Sequence, residues 1–134
     1  MINLKFENLK HLFPDKTSVN KSGRLEINNN DISDLVNEFG SPLYIYDENT
    51  IRNVAKNYLN KFKSQYENVH VSYSSKAFSN PILSQILNEE NLGIDVVSGG
   101  ELEILIRSKF PMNEVNFHGN NKSNDELIKA VQNN

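Results

Sequence analysis

The stretch "NVHVSYSSKAFSNPILSQILNEENLGIDVV", residues 68–97, decides the fold. It opens on an apolar-alternating run through Ser75, breaks at Asn80-Pro81 into a helical segment over 80–91, and closes on the short apolar run GIDVV (93–97). Two strands joined by one crossover helix imply parallel pairing, with the helix laid over the sheet. The alternation continues downstream: a helix is predicted at 99–110, a strand at 114–118 and a last helix at 124–132. Upstream, Ile51, Val54, Ala55, Tyr58, Leu59 and Phe62 recur at three- and four-residue spacing, which predicts a helix from Glu48 to about Gln65. The class is α/β.

The first 40 or so residues are polar and irregular, with a short strand candidate at RLEIN (24–28) and a short helix in DISDLVNEFG (31–40). In that helix Asp31 supplies the cap, Ile32, Leu35, Val36 and Phe39 share a face, and Gly40 supplies the stop. Pro42 then begins a brief predicted strand, SPLYIYD.

Two architectures carry such an alternation, an open doubly wound sheet and a (β/α)₈ barrel of about 250 residues. No G-x-G-x-x-G or G-x-x-x-x-G-K-[ST] follows the first strand, so the nucleotide-binding open sheets lose their usual signal. A response-regulator-like sheet would want an acidic cluster at the first strand end, where this chain has serines and Lys76. Three βα units cannot close a barrel, so the barrel reading makes these 134 residues its opening portion.

A net charge of −3 and a pI near 5.6 give no basic footprint for nucleic acid, which needs clustered Lys and Arg to displace counterions. No run approaches the roughly 18 apolar residues of a spanning helix, and MINLKFENLK lacks the features of a secretory signal. With no cysteine there is neither a disulfide frame nor a thiolate metal site, and the expected location is the cytoplasm. No metal site is expected.

The polar residues gather where strands end. Side chains alternate faces along a strand, so Lys76 is expected on one face with Ser74 and Ser72, while Val69, Val71 and Tyr73 take the other. Small residues beside a lysine leave space for a flat ligand, and an amine held there could condense with an aldehyde; the plainer alternative is a lysine in an exposed loop. Asp95 lies mid-strand, where a carboxylate is disfavoured unless paired or hydrogen-bonded, and Gly99 and Gly100 follow at once. A structural aspartate holding loop amides is the alternative there. The third strand ends in FHGNNKS (117–123), with His118, Asn120, Asn121 and Lys122; a lone histidine is also a common structural hydrogen-bonder.

Taken together and in order, YSSKA, DVVSGGELEIL and FHGNNKS resemble the N-terminal part of the diaminopimelate decarboxylases, pyridoxal-phosphate enzymes of the alanine-racemase-like barrel class. The upstream GSPLYIYDENTIR resembles that family's lead-in, and the likeness runs from about Gly23 to the end. It implies that Lys76 holds pyridoxal 5'-phosphate as the catalytic lysine, with Asp95, His118 and Ser74 around the cofactor and Glu101 a weaker candidate. It implies meso-diaminopimelate as substrate, L-lysine and carbon dioxide as products, and a homodimer when full length. Residues 1–42 would then be a segment that packs on a C-terminal β-domain, and 43–134 the first part of the barrel. The family's phosphate loop, arginine segment, cysteine motif and late tyrosine are not found here, so the expectation is a fragment, inactive alone. A barrel decarboxylase acting on another basic amino acid and a non-catalytic α/β module are the alternatives.

Overall fold

Residues 6–133 are described by a computed structural model, so the reading of Met1–Lys5 as lacking a secretory signal lies outside them. The chain divides into two compact units, Met1–Asn53 and Val54–Asn134, the division falling inside one helix.

In the first unit, helix α1 (Phe6–Leu9) and a 3₁₀ turn lead into a three-stranded antiparallel sheet, β1 (Thr17–Val19), β2 (Leu25–Ile27) and β3 (Asn30–Asp31), in that order. The RLEIN strand is therefore present, but with two neighbours that the sequence did not predict. The β1–β2 connection is organised by Asn20, whose Oδ1 accepts from the N–H groups of Ser22 and Arg24 while its amide donates to Glu26 and Asp31. The β2–β3 turn is Asn28-Asn29, both at positive φ (49° and 66°), the backbone that a two-residue type I′ hairpin demands and that asparagine tolerates best after glycine. Helix α2 (Ile32–Phe39) follows as expected: Asp31 accepts from the Ser33 N–H at 2.8 Å, and Gly40 ends the helix at φ 86°.

The predicted strand at 41–47 does not form. Neither sheet includes this run, and Tyr44 and Tyr46 are exposed. Alternation alone does not make a strand: among the described residues no strand pairs with this run, and β1 to β3 pair among themselves. Asp47, largely buried, then starts α3 (Glu48–Lys63) by accepting from both the N–H and the hydroxyl of Thr50 on Oδ2.

The second unit carries the predicted alternation: β4 (Ser72–Ser74), α4 (Pro81–Glu89), β5 (Gly93–Val96), α5 (Gly99–Arg107), β6 (Val115–Phe117) and α6 (Asn124–Gln132). The sheet is parallel, in the order β4-β5-β6, with Tyr73 opposite Ile94 and Ile94 opposite Val115. Three βα units of an α/β fold are thus in place.

Each helix start is written locally. Pro81 has no N–H to lose at the first helical position, and Asn80 accepts from the Leu83 N–H. Ser98 with Glu101, and Ser123 with Glu126, form complete capping boxes. The core lies between β5 and its helices: Val96, Leu102 and Leu105 are at most 1% exposed, and Leu83, Ile86, Leu87, Leu92, Ile94 and Phe110 are buried with them. Ser84 Oγ donates to Ser108 Oγ at 2.9 Å, joining α4 to the end of α5 without leaving a buried hydroxyl unpaired.

Candidate functional site

Burying Ile94 and Val96 against helices sends Asp95 to the opposite face of β5. The register then sets Ser74, Asp95 and Asn116 side by side in one row across β4, β5 and β6. Asn116 bridges that row: its Nδ2 donates to Asp95 Oδ1 at 3.0 Å and reaches Ser72 Oγ at 3.3 Å. Asp95 is therefore hydrogen-bonded, as a mid-strand carboxylate requires, but to a strand side chain rather than to loop amides. Its Oδ2 has no hydrogen-bond partner among the described residues.

Lys76 and His118 each stand two positions beyond the row, at the carboxyl ends of β4 and β6. Lys76 is exposed in the turn that follows β4, outside the strand itself, and its amine makes no hydrogen bond or ion pair with the described residues. His118 is exposed, and its backbone N–H extends the ladder to Val96 O at 3.0 Å. The fold thus brings Ser74, Lys76, Asp95 and His118 to one end of one sheet, and no hydrogen bond joins them to one another. Lys122 turns away from this set: its amine donates to Gly119 O and lies 4.8 Å from the centre of the Phe117 ring.

Two residues important to this rim were missed or misassigned from sequence. Asn116 lies two residues before His118, so strand parity from His118 would have found it. Glu101, a weak candidate for the pocket, instead binds protein: Oε2 accepts from the N–H groups of Val97 and Ser98 and from Ser98 Oγ, and Oε1 accepts from Ser75 Oγ at 2.8 Å. Burial pushes the Glu101 carboxyl upward, but the Val97 N–H, the Ser75 and Ser98 hydroxyls and the Ser98 N–H together outweigh it and hold the group below the usual glutamate range. Glu126 is lowered likewise by the N–H groups of Ser123 and Gly99.

A carboxyl depressed on folding stabilises the folded state above its unfolded pKa, and that contribution is lost as pH falls through the lower folded value. Urea midpoints measured from neutral pH into the acid range should fall through and below the usual glutamate range. Glu101→Gln should cost about 1–2 kcal/mol at neutral pH and flatten that acid slope. An unchanged slope in the variant would remove Glu101 from this account.

For a flat aldehyde-bearing ring, the residues present fit at one end. Ser72 and Ser74 are small, and Lys76 offers an amine with no competing partner among the described residues. A phosphate is different: the carboxylates of Glu101 and Glu126 sit in the first turns of α5 and α6, and like charge opposes an anion there. Among the described residues no group of three or more His, Cys, Asp and Glu could hold a metal ion, and no helix is long and apolar enough to cross a membrane.

Comparison with known proteins relates the chain to pyridoxal-dependent decarboxylases. Residues 51–134 match the family model described as "Pyridoxal-dependent decarboxylase, pyridoxal binding domain". Diaminopimelate decarboxylase of Bacillus methanolicus is 43% identical over 120 residues, covering 90% of this chain and 28% of that protein. Its counterpart in Bacillus subtilis (strain 168) is 44% identical over 113 residues, covering 84% of this chain and 26% of the relative. A crystal structure of diaminopimelate decarboxylase from M. jannaschii in complex with L-lysine superposes with a TM-score of 0.77 at 31% identity, over 90% of this chain and 28% of that one. The chain therefore spans little more than a quarter of the length of the relatives it matches.

Proposed function

Because this chain belongs to the pyridoxal-dependent decarboxylases, whose pyridoxal-binding domain its residues 51–134 match, we propose that it supplies the lysine-bearing part of a diaminopimelate decarboxylase. The observation that carries the reading is the amine of Lys76, without a hydrogen-bond or ion-pair partner among the described residues, just past the end of β4 and at the same sheet end as Asp95 and His118, in a chain 43% identical over 120 residues to a diaminopimelate decarboxylase. In this reading pyridoxal 5'-phosphate is the cofactor and meso-diaminopimelate the substrate, converted to L-lysine and carbon dioxide.

Lys76 would hold the cofactor's aldehyde through its amine, and the same amine would be available to carry a proton. Asp95, with Oδ1 held by Asn116, would stand near the cofactor, His118 would line its pocket, and Ser74 would be a small wall beside the ring. When bound, the cofactor spreads over its conjugated pyridinium the electron pair left on loss of carbon dioxide. The phosphate handle falls to residues outside these 134, in keeping with the carboxylates that stand at α5 and α6. Residues 1–42 would pack on a C-terminal β-domain and 43–134 would form the opening of a barrel; the complete enzyme would be a cytoplasmic homodimer.

The purified 134-residue chain, mixed with pyridoxal phosphate and diaminopimelate, should release no carbon dioxide above the cofactor-only background. Robust turnover would overturn the claim that these residues need the remainder of the enzyme.

A further inference from the structure

The two capping boxes reach further than their helices require. A box needs the N-cap side chain on one backbone N–H and the third-residue carboxylate on the N-cap N–H. Glu101 also takes the Ser75 hydroxyl at 2.8 Å, so a single carboxylate ties the turn after β4 to the turn after β5. Glu126 repeats the device one unit on: Oε2 accepts from the N–H and hydroxyl of Ser123, and Oε1 accepts from the Gly99 N–H at 2.7 Å. The three strand-end loops are stitched in series.

The first stitch falls on the residue before Lys76. Ser75 is only 3% exposed, its N–H donates to Asp95 O at 3.0 Å, and its hydroxyl lies 2.8 Å from both Asp95 O and Glu101 Oε1. Its backbone is thereby tied to β5 and its side chain to α5. Lys76 itself is exposed, and among the described residues its amine makes no hydrogen bond or ion pair that could hold its turn in place. Whatever fixes the lysine must act through its neighbours.

We propose that the Ser75–Glu101 hydrogen bond is the positioning contact for Lys76, holding its turn so that the amine is presented at the rim shared with Asp95 and His118. This rests on the reading of Lys76 as the cofactor-binding lysine. Neither Ser75 nor Glu101 then touches the reacting atoms. A neutral amide at 101 cannot accept from every donor that the carboxylate now serves, and alanine at 75 leaves Oε1 without its hydroxyl.

The test treats the full 134-residue chain with limiting pyridoxal phosphate, reduces with borohydride, and measures by peptide mass spectrometry the label on Lys76 relative to Lys61 and Lys122. In the unsubstituted chain Lys76 should dominate. Ser75→Ala and Glu101→Gln should lower its share about fivefold or more, a loss of alignment rather than of chemistry, and Ser75→Thr, which keeps the hydroxyl, should restore it. Circular dichroism at the same temperature verifies folding; if Ser75→Ala does not fold, Glu101→Gln carries the comparison. A merely structural bond would lower the urea midpoint and leave the Lys76 share unchanged, which would overturn the proposal. An unsubstituted chain showing no preference for Lys76 would overturn the cofactor assignment itself, and the positioning role with it.

Discussion

Replacing Lys76 by arginine is expected to abolish the visible absorbance of lysine-bound pyridoxal and to cut total borohydride-fixed label by about tenfold or more. The substitution keeps the charge and most of the length of the side chain, so solubility and folding should change little. What it removes is an amine able to condense with an aldehyde, because a guanidinium stays protonated and delocalised. Ten other lysines remain. Several are otherwise engaged: Lys56 pairs with Glu90, Lys129 pairs with Glu103, and Lys122 donates to Gly119 O over the Phe117 ring. Lys76 has no such partner and stands at the end of a parallel strand, where α/β folds gather their ligands. If arginine at 76 leaves the absorbance and the label intact, some other amine carries the cofactor and the proposed function loses its central residue.

How much of this could be read in advance depends on how local each feature is. Helices α2 to α6 were legible because periodicity, caps and stops lie within a few residues of one another, as in Asp31 with Gly40 or Ser98 with Glu101. The parallel sheet was legible from strand–helix–strand alternation, and the Lys76, Asp95 and His118 positions from the likeness of the strand ends to a known family. The first sheet was not, because its hairpin turns on Asn28-Asn29 without a glycine and its strands are two or three residues long. The run 41–47 shows the opposite error, since its alternation is real but no strand pairs with it among the described residues. Strand parity carried to Lys76 stretched a rule past its range, for β4 ends at Ser74 and the next residues turn. The Ser75–Glu101 bond joins residues 26 positions apart, and nothing in the spacing of a serine and a glutamate announces it. Asn116 meeting Asp95 depends equally on register, which only the folded sheet supplies.

Register also makes Gly93 the position where the smallest change should do the most damage to the fold. Its N–H donates to Val71 O at 2.9 Å, and a Cβ placed there would stand 2.8 Å from the backbone carbonyl of Glu114 and still closer to the His70 ring. The imidazole is half exposed and can swing aside, but the carbonyl belongs to the segment entering β6 and cannot move without displacing that strand from β5. Alanine in a compatible backbone usually gains about 0.4–1 kcal/mol by restricting the unfolded chain, whereas overpacking a buried site costs about 1–3 kcal/mol. The clash is with backbone, so the second effect should win. Gly93→Ala is expected to lower stability by about 2 kcal/mol in urea unfolding, and Gly93→Val to leave no cooperative transition. Gly100 supplies the control: a Cβ there meets only Ser98 Oγ at 4.0 Å, inside the first turn of α5, so Gly100→Ala should be neutral or stabilising by up to about 1 kcal/mol. Equal effects at the two glycines would show that β5 and the approach to β6 do not pack as closely as this register requires.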